Sequence, residues 1–166
     1  MKHQIVGKTK NGKLVYVDTQ SSHAATHIAD TPDLLKLVQE FIADLVAVDD
    51  NVYVDKDMGR AVGLSDLVKT SKTDKIIYAK RLNRDNYTRF VLSRKAEPTN
   101  FVTIVLRKDT EGDYELWSAW VGRAAPQFPG DEFETAESKP FWRIHALVWG
   151  NQETKPNTER DDWPWD

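Results

Sequence analysis

Between residues 30 and 46 the chain reads DTPDLLKLVQEFIADLV, and Leu34, Leu37, Val38, Phe41, Ile42 and Leu45 recur at steps of three and four. That spacing puts them on one flank of an α-helix, with Thr31 as its expected N-cap and Pro32 at its first helical position. Elsewhere the period is two. QIV and KLVYVD flank TKNGK, where Asn11-Gly12 predicts a β-hairpin closed by a type I′ turn, since both central residues of that turn need positive φ. NVYVD reads as a short strand and GLSDLVKT as a helical turn or loop. Four strand-like runs then follow, KIIYAK, YTRFVLS, FVTIVLR and YELWSAWV, separated by the turn-rich pieces LNRDN, RKAEPTN and KDTEGD. Short connections between successive strands predict an antiparallel meander. AESKPFWRIHALVW predicts a short helix entered near Pro140 and then a last strand.

The expected architecture is α+β: an N-terminal hairpin and helix packed on a twisted antiparallel sheet of about four to five strands. A chain of 166 residues suits one core. The domain is placed at residues 1–150, and residues 151–166, NQETKPNTERDDWPWD, form a polar, frayed tail whose two tryptophans can dock locally.

Composition narrows the chemistry. The net charge is -3, so a nucleic-acid site has to be a local patch. With no cysteine, disulfides and thiolate metal sites are excluded, which fits a reducing compartment. The N-terminal residues lack the apolar run of a signal peptide, and no apolar stretch reaches the roughly 20 residues that span a bilayer. The expectation is a cytoplasmic protein with no membrane partner. The chain carries no P-loop, dinucleotide fingerprint or nucleophile elbow, so kinase, dehydrogenase and serine-hydrolase readings fall away.

Charge is concentrated in residues 75–95, where Lys75, Lys80, Arg81, Arg84, Arg89, Arg94 and Lys95 face Asp85 alone. On a hairpin turning near LNRDN, Arg81 and Arg89 would lie together at the base and Arg84 at the tip, an arrangement able to grip a phosphate. The plain alternative is a solvated strand face, or an edge that Lys and Arg protect against strand addition. FWRIHALVW adds His145 in apolar company, either a histidine able to move a proton or a half-buried one bonded to a carbonyl. Arginines for the phosphate, a histidine for the proton and hydroxyls such as Tyr78, Thr103 and Ser118 are the set that metal-free RNA cleavage needs. Trp117 and Trp120, three apart in one strand, should point to opposite faces, one into the core and one offering a stacking plane for a base. GRAAPQFPGDEF is read as a lid or a proline-braced crossing loop.

The order of a helix, then IIYAKR, YTRFV, TIVL, YELWSAWVG and FWRIHAL resembles the barnase–EndoU–colicin–RelE (BECR) class of nucleases, in its phage- and toxin-associated branch, over roughly residues 30 to 150. The resemblance implies a helix packed on a twisted sheet whose concave face holds RNA, tRNA included, and a cognate inhibitor protein as partner. It implies no cofactor. Carried over, it puts Arg81 and Arg89 on the phosphate, His145 as acid or base and Thr103 beside them, with Lys80, Arg84, Tyr78 and Trp120 as RNA contacts. The N-terminal hairpin departs from that minimal fold.

Two rivals remain open. One is a non-catalytic module of the same fold that binds nucleic acid or protein through the basic hairpin. The other is a metal-binding protein: SSHAATHIAD spaces His23 and His27 as i and i+4, on one side of a helical turn, with Asp18 or Asp30 as a conceivable third ligand.

Overall fold

The strands that the pattern reads as one meander are shared between two sheets with separate cores. The computed structural model describes residues 3–20 and 23–166. In chain order the elements are β1 (His3–Lys8), β2 (Leu14–Asp18), α1 (His23–Asp30), α2 (Leu34–Ala43), β3 (Asn51–Asp57), β4 (Gly63–Ser65), β5 (Leu67–Lys69), β6 (Ile76–Lys80), β7 (Tyr87–Val91), β8 (Glu97–Thr99), β9 (Phe101–Lys108), β10 (Tyr114–Val121), α3 (Ser138–Ile144) and β11 (His145–Val148). They fall into two compact units, unit 1 of Met1–Gly63 and Thr99–Ala124, and unit 2 of Leu64–Pro98 and Ala125–Asp166. The α+β class is the observed one. The expected single core is replaced by two, because RKAEPTN carries the chain out of the second sheet before β9 begins. The short ribbon of β4 and β8 lies at two of the chain crossings, where a helical turn or loop was expected at GLSDLVKT.

Unit 1 is a five-stranded sheet ordered β1-β2-β10-β9-β3. It consists of two antiparallel groups, β1-β2 and β10-β9-β3, joined by a parallel pairing of β2 with β10. α2 buries Leu34, Leu37, Val38, Phe41 and Ile42, the stripe expected from its spacing. These join Val15, Val17, Ile104, Leu106, Tyr114 and Leu116 in one core. Burial of a single such side chain is worth about 1.5–3 kcal/mol, so the five together contribute roughly 7–15 kcal/mol. The helix begins later than its sequence signals suggest. α1 occupies residues 23–30, so Thr31 and Pro32 form the corner between two helices, and the cap position falls to Asp33 at φ 64°, with no side-chain capping bond. Pro32, which has no N–H and disfavours helical backbone before it, suits the corner.

Both hairpins of unit 1 use one turn. Gly12 N–H donates to the Thr9 carbonyl at 3.0 Å and Thr9 N–H to the Lys13 carbonyl at 2.8 Å; Gly112 and Asp109 repeat the pattern with Asp113. Positive φ falls on Gly12 (80°) and Gly112 (86°), while Asn11 is not in that region. The geometry is therefore a type I turn followed by a left-handed glycine, not type I′. The Asn11 side chain explains the difference, since its amide donates to the Ala47 carbonyl at 2.7 Å and accepts from the Ala47 N–H at 3.1 Å. The second turn is held to the first hairpin, where Asp113 accepts from Leu14 N–H at 2.9 Å and Asp109 from the Tyr16 hydroxyl at 3.0 Å.

Unit 2 has the order β5-β11-β7-β6, with β11 and β7 parallel. Its core holds Val68, Val91, Ala146 and Val148, with Ile76 packed on them. Residues 151–166 are not a frayed tail. Tyr78 and Arg160 exchange backbone hydrogen bonds at 2.8 and 2.9 Å, and Lys155 N–H donates to the Lys80 carbonyl at 2.7 Å. These contacts cover the free edge of β6, so main chain does the edge protection that one reading of the sequence gave to basic side chains. Trp165 is 5% exposed, and its Nε1 donates to Asn86 Oδ1 at 2.9 Å. The loop after Gly122 is tied down as well, because Phe128 stacks on Trp142 at 3.8 Å and Trp142 Nε1 donates to the Pro126 carbonyl at 3.0 Å.

Two expectations follow. Trp165→Ala should lower the unfolding free energy by about 3 kcal/mol in denaturant titration, as for a core tryptophan; a change under about 0.5 kcal/mol would mark a surface tail. Burial, and then the Asp109 carboxylate, push the Tyr16 hydroxyl from 10.0 up to about 12. Between those values the unfolded chain ionises first and stability falls as pH rises. Tyr16→Phe should flatten that alkaline decline and leave stability near pH 7 to 9 with its ordinary slope.

Candidate nucleic-acid interface

Basic side chains crowd the hairpin of β6 and β7, whose register pairs Tyr78 with Arg89, Ala79 with Thr88 and Lys80 with Tyr87. In a strand, successive side chains point to opposite faces, so Thr88 and Arg89 diverge. Arg81 Nε donates to Thr88 Oγ1 at 2.9 Å, whereas Arg89 Nε donates to the Tyr78 hydroxyl at 3.3 Å. The two guanidinium groups are thereby held on opposite faces of the hairpin, and the expected joint grip on one phosphate is not formed. Register explains it: the partner of Arg89 is Tyr78, three residues from Arg81 and of the other parity.

Arg89 is 8% exposed. Its Nη1 donates to Thr70 Oγ1 at 3.0 Å and to the His145 carbonyl at 2.9 Å. With Tyr78, these partners tie four strands together through neutral dipoles, a structural duty in place of the expected phosphate contact. Tyr78, at 5% exposed, serves the same clamp.

Arg81 differs. It is half-buried, its Nη1 donates to Gln152 Oε1 at 3.1 Å, and its guanidinium lies 5.7 Å from the centre of the Phe128 ring. All of these partners are neutral. Among the described residues no ion pair reaches it, and burial, with the positive charge of Arg84 second, lowers its pKa from 12.5 to about 10. Arg84 is exposed at the turn, where its N–H donates to the Arg81 carbonyl at 3.1 Å. Lys80 places Nζ 5.0 Å from the Tyr87 ring centre. Arg94 is neutralised by Asp74 and Glu97, both at 2.8 Å, so the patch is narrower than its sequence charge suggests.

His145 ends α3 and opens β11. Its ring stacks on Phe141 at 4.0 Å and 6°, and Nδ1 lies 3.0 Å from the Phe141 carbonyl, to which it donates. This is the half-buried, carbonyl-bonded histidine weighed in the sequence. Because Leu147 pairs with Phe90, alternation gives His145 the same face as Phe90 and Thr88, and so the face of Arg81; Arg89 reaches only its backbone.

Thr103, Ser118 and Trp120 belong to unit 1. Thr103 is fully buried, its hydroxyl donating to the Gly122 carbonyl at 2.7 Å. Here the sequence offers one stacking tryptophan and the structure has two. A bulge between Leu116 and Ser118 inserts Trp117 as an extra residue, which resets the alternation and leaves Trp117 and Trp120 both off the core face. Trp117 is 44% exposed with the Arg107 guanidinium 3.9 Å from its ring centre, Trp120 lies 6.0 Å from Tyr53, and Arg123 covers Phe101 at 4.4 Å. The helices pack against the other face. The run Trp117-Ser118-Ala119-Trp120 was the available signal; the bulge has none.

His23 and His27 lie on α1 with their Nε2 atoms 2.9 Å apart. Burial, and then the neighbouring ring, lower the pKa of His27, while Asp30 works against them. Among the described residues no three of His, Asp and Glu gather as a metal-binding group.

The chain matches no protein-family model, no curated protein and no solved structure. The BECR likeness thus rests on the quoted residues alone. Among the described residues no helix is long and apolar enough to cross a membrane.

The two arginines should separate experimentally. Arg89→Gln is expected to lower stability by about 2–3 kcal/mol, since charge-assisted hydrogen bonds are lost inside the unit. Arg84→Gln should stay within about 0.5 kcal/mol. Chemical denaturation of both variants checks the division.

Proposed function

We propose that this protein is a non-catalytic nucleic-acid-binding module whose phosphate contact is the Arg81–Arg84 pair. One observation carries the reading: Arg81 is withdrawn from water with only neutral partners, beside a second positive charge. A buried charge without a counter-ion is costly, and an incoming phosphate oxygen relieves both the desolvation and the repulsion. Thr88 and Gln152 fix the guanidinium in advance, so little side-chain entropy is lost on binding. The aromatic and arginine face of unit 1 fits the same class of ligand, because base stacking on tryptophan and arginine tolerates any sequence. With no base-reading pattern at the hairpin, single strands of mixed sequence are the expected ligands.

Arg81→Gln with Arg84→Gln tests the reading. Removing two phosphate contacts should reduce the salt slope of log K for single-stranded RNA by about 1.4 and weaken binding, while Lys8→Gln with Lys10→Gln should change neither. Equal effects of the two double variants would replace the site by diffuse attraction.

The second reading, metal-independent RNA cleavage, is favoured by His145, whose ring is held on the face of Arg81. Incubating the protein with total RNA in EDTA separates the two. Intact RNA supports the binding module. Fragments with 2′,3′-cyclic phosphate ends, lost by about 10²-fold or more in His145→Ala, would overturn it in favour of the nuclease.

A further inference from the structure

The histidine pair on α1 is used by neither surface above. Its residues sit one helical turn apart, and their Nε2 atoms stand 2.9 Å from each other with ring planes at 89° and ring centres 4.4 Å apart. A distance of 2.9 Å is that of an N–H···N hydrogen bond, straight or bent. In a head-on N–H···N hydrogen bond the two ring radii add to the N···N distance and put the centres about 5 Å apart. A bent one brings the centres closer, as found here, with one ring donating and the other accepting.

The spacing also suits a metal ion in place of the shared proton. For metal–nitrogen bonds of about 2.0–2.1 Å, ligands at a tetrahedral angle stand about 3.3 Å apart and ligands at a right angle about 2.9 Å apart. The observed separation lies within about 0.4 Å of both, so the pair is placed for either geometry.

We propose that His23 and His27 chelate one divalent transition-metal ion through their two Nε2 atoms, copper(II) ahead of nickel(II) and zinc(II) because nitrogen ligands bind copper(II) most tightly of the three. The protein supplies two ligands, since no third His, Asp or Glu joins them among the described residues. Water or a donor from a partner fills the remaining positions, which makes this an open site. His23 is exposed and His27 half-buried, so an ion reaches the pair from solvent. The chelate spans i to i+4 and so clamps α1, whose Ala24 and Ile28 pack into the core of unit 1. Metal binding is thereby coupled to the stability of that unit.

The experiment is calorimetric titration of the full chain, free of any purification tag, with copper(II), nickel(II) and zinc(II) salts in turn. One saturable site is expected, with affinity in the order copper, nickel, zinc, and nickel should raise the melting temperature. His23→Gln, at an exposed position that does not threaten folding, should weaken copper by more than roughly tenfold, and His27→Gln likewise. His3→Gln and His145→Gln should leave it unchanged. The copper complex should show nitrogen hyperfine splitting in its electron paramagnetic resonance spectrum, lost in His23→Gln. No saturable uptake, or an affinity within twofold of wild type in His23→Gln, overturns the site; zinc binding tighter than copper overturns the metal preference.

Discussion

A guanidinium taken out of water must be solvated by whatever dipoles the fold brings to it, and Arg89 is the place where unit 2 meets that demand. Its partners come from β6, from the residue after β5 and from the first residue of β11. The charge is satisfied only if all of these elements are in register at once. A lone dipole would leave most of the desolvation cost standing. The four-stranded sheet is therefore fixed from one buried point, and with it the path of β11, the position of α3 before it and the orientation of His145. The small apolar cluster of Val68, Val91, Ala146 and Val148 would specify that arrangement much less sharply.

The same strand determines what Arg81 can do. Parity along β7 sends Thr88 and Arg89 to opposite sides, so whichever arginine is bonded to one is separated from the arginine bonded to the other. One is consumed by structure and the other meets no counter-ion among the described residues. That division makes the two residues unequal despite their similar sequence surroundings, and it moves the centre of the basic patch toward the turn at Arg84.

Legibility followed the range of the forces involved. α2 was readable because its apolar spacing is local, and the turn glycines because positive φ is a property of one residue. The start of α2 was misread: Thr31 and Pro32 are good initiation signals, but the preceding helix already used those positions. The division of β6-β7 from β9-β10 was invisible, since each run reads as a strand whichever sheet receives it. Residues 151–166 look polar enough to be loose, yet their backbone finds an edge and Trp165 finds Asn86, Tyr78 and Phe128. At the candidate site the residue types were legible and their faces were not. Tyr78, Arg81, Arg84, Arg89 and His145 all belong to unit 2, but counter-ions, parity and the bulge at Trp117 depend on pairing across strands.

The interleaving of the two units has a consequence for synthesis on the ribosome. The apolar stripe of α2 is finished by residue 42, but the strands that cover it, carrying Ile104, Leu106, Tyr114 and Leu116, emerge only after the chain has laid down β5, β6 and β7 for the other unit. At about 5–20 residues per second, that leaves the helix face and the inner edge of β2 without native partners for several seconds. Unit 2 waits in turn for β11 and for the segment that seals β6. Neither core can close until most of the polypeptide is outside the exit tunnel, so an apolar helix face and unpaired strand edges stay exposed through most of synthesis.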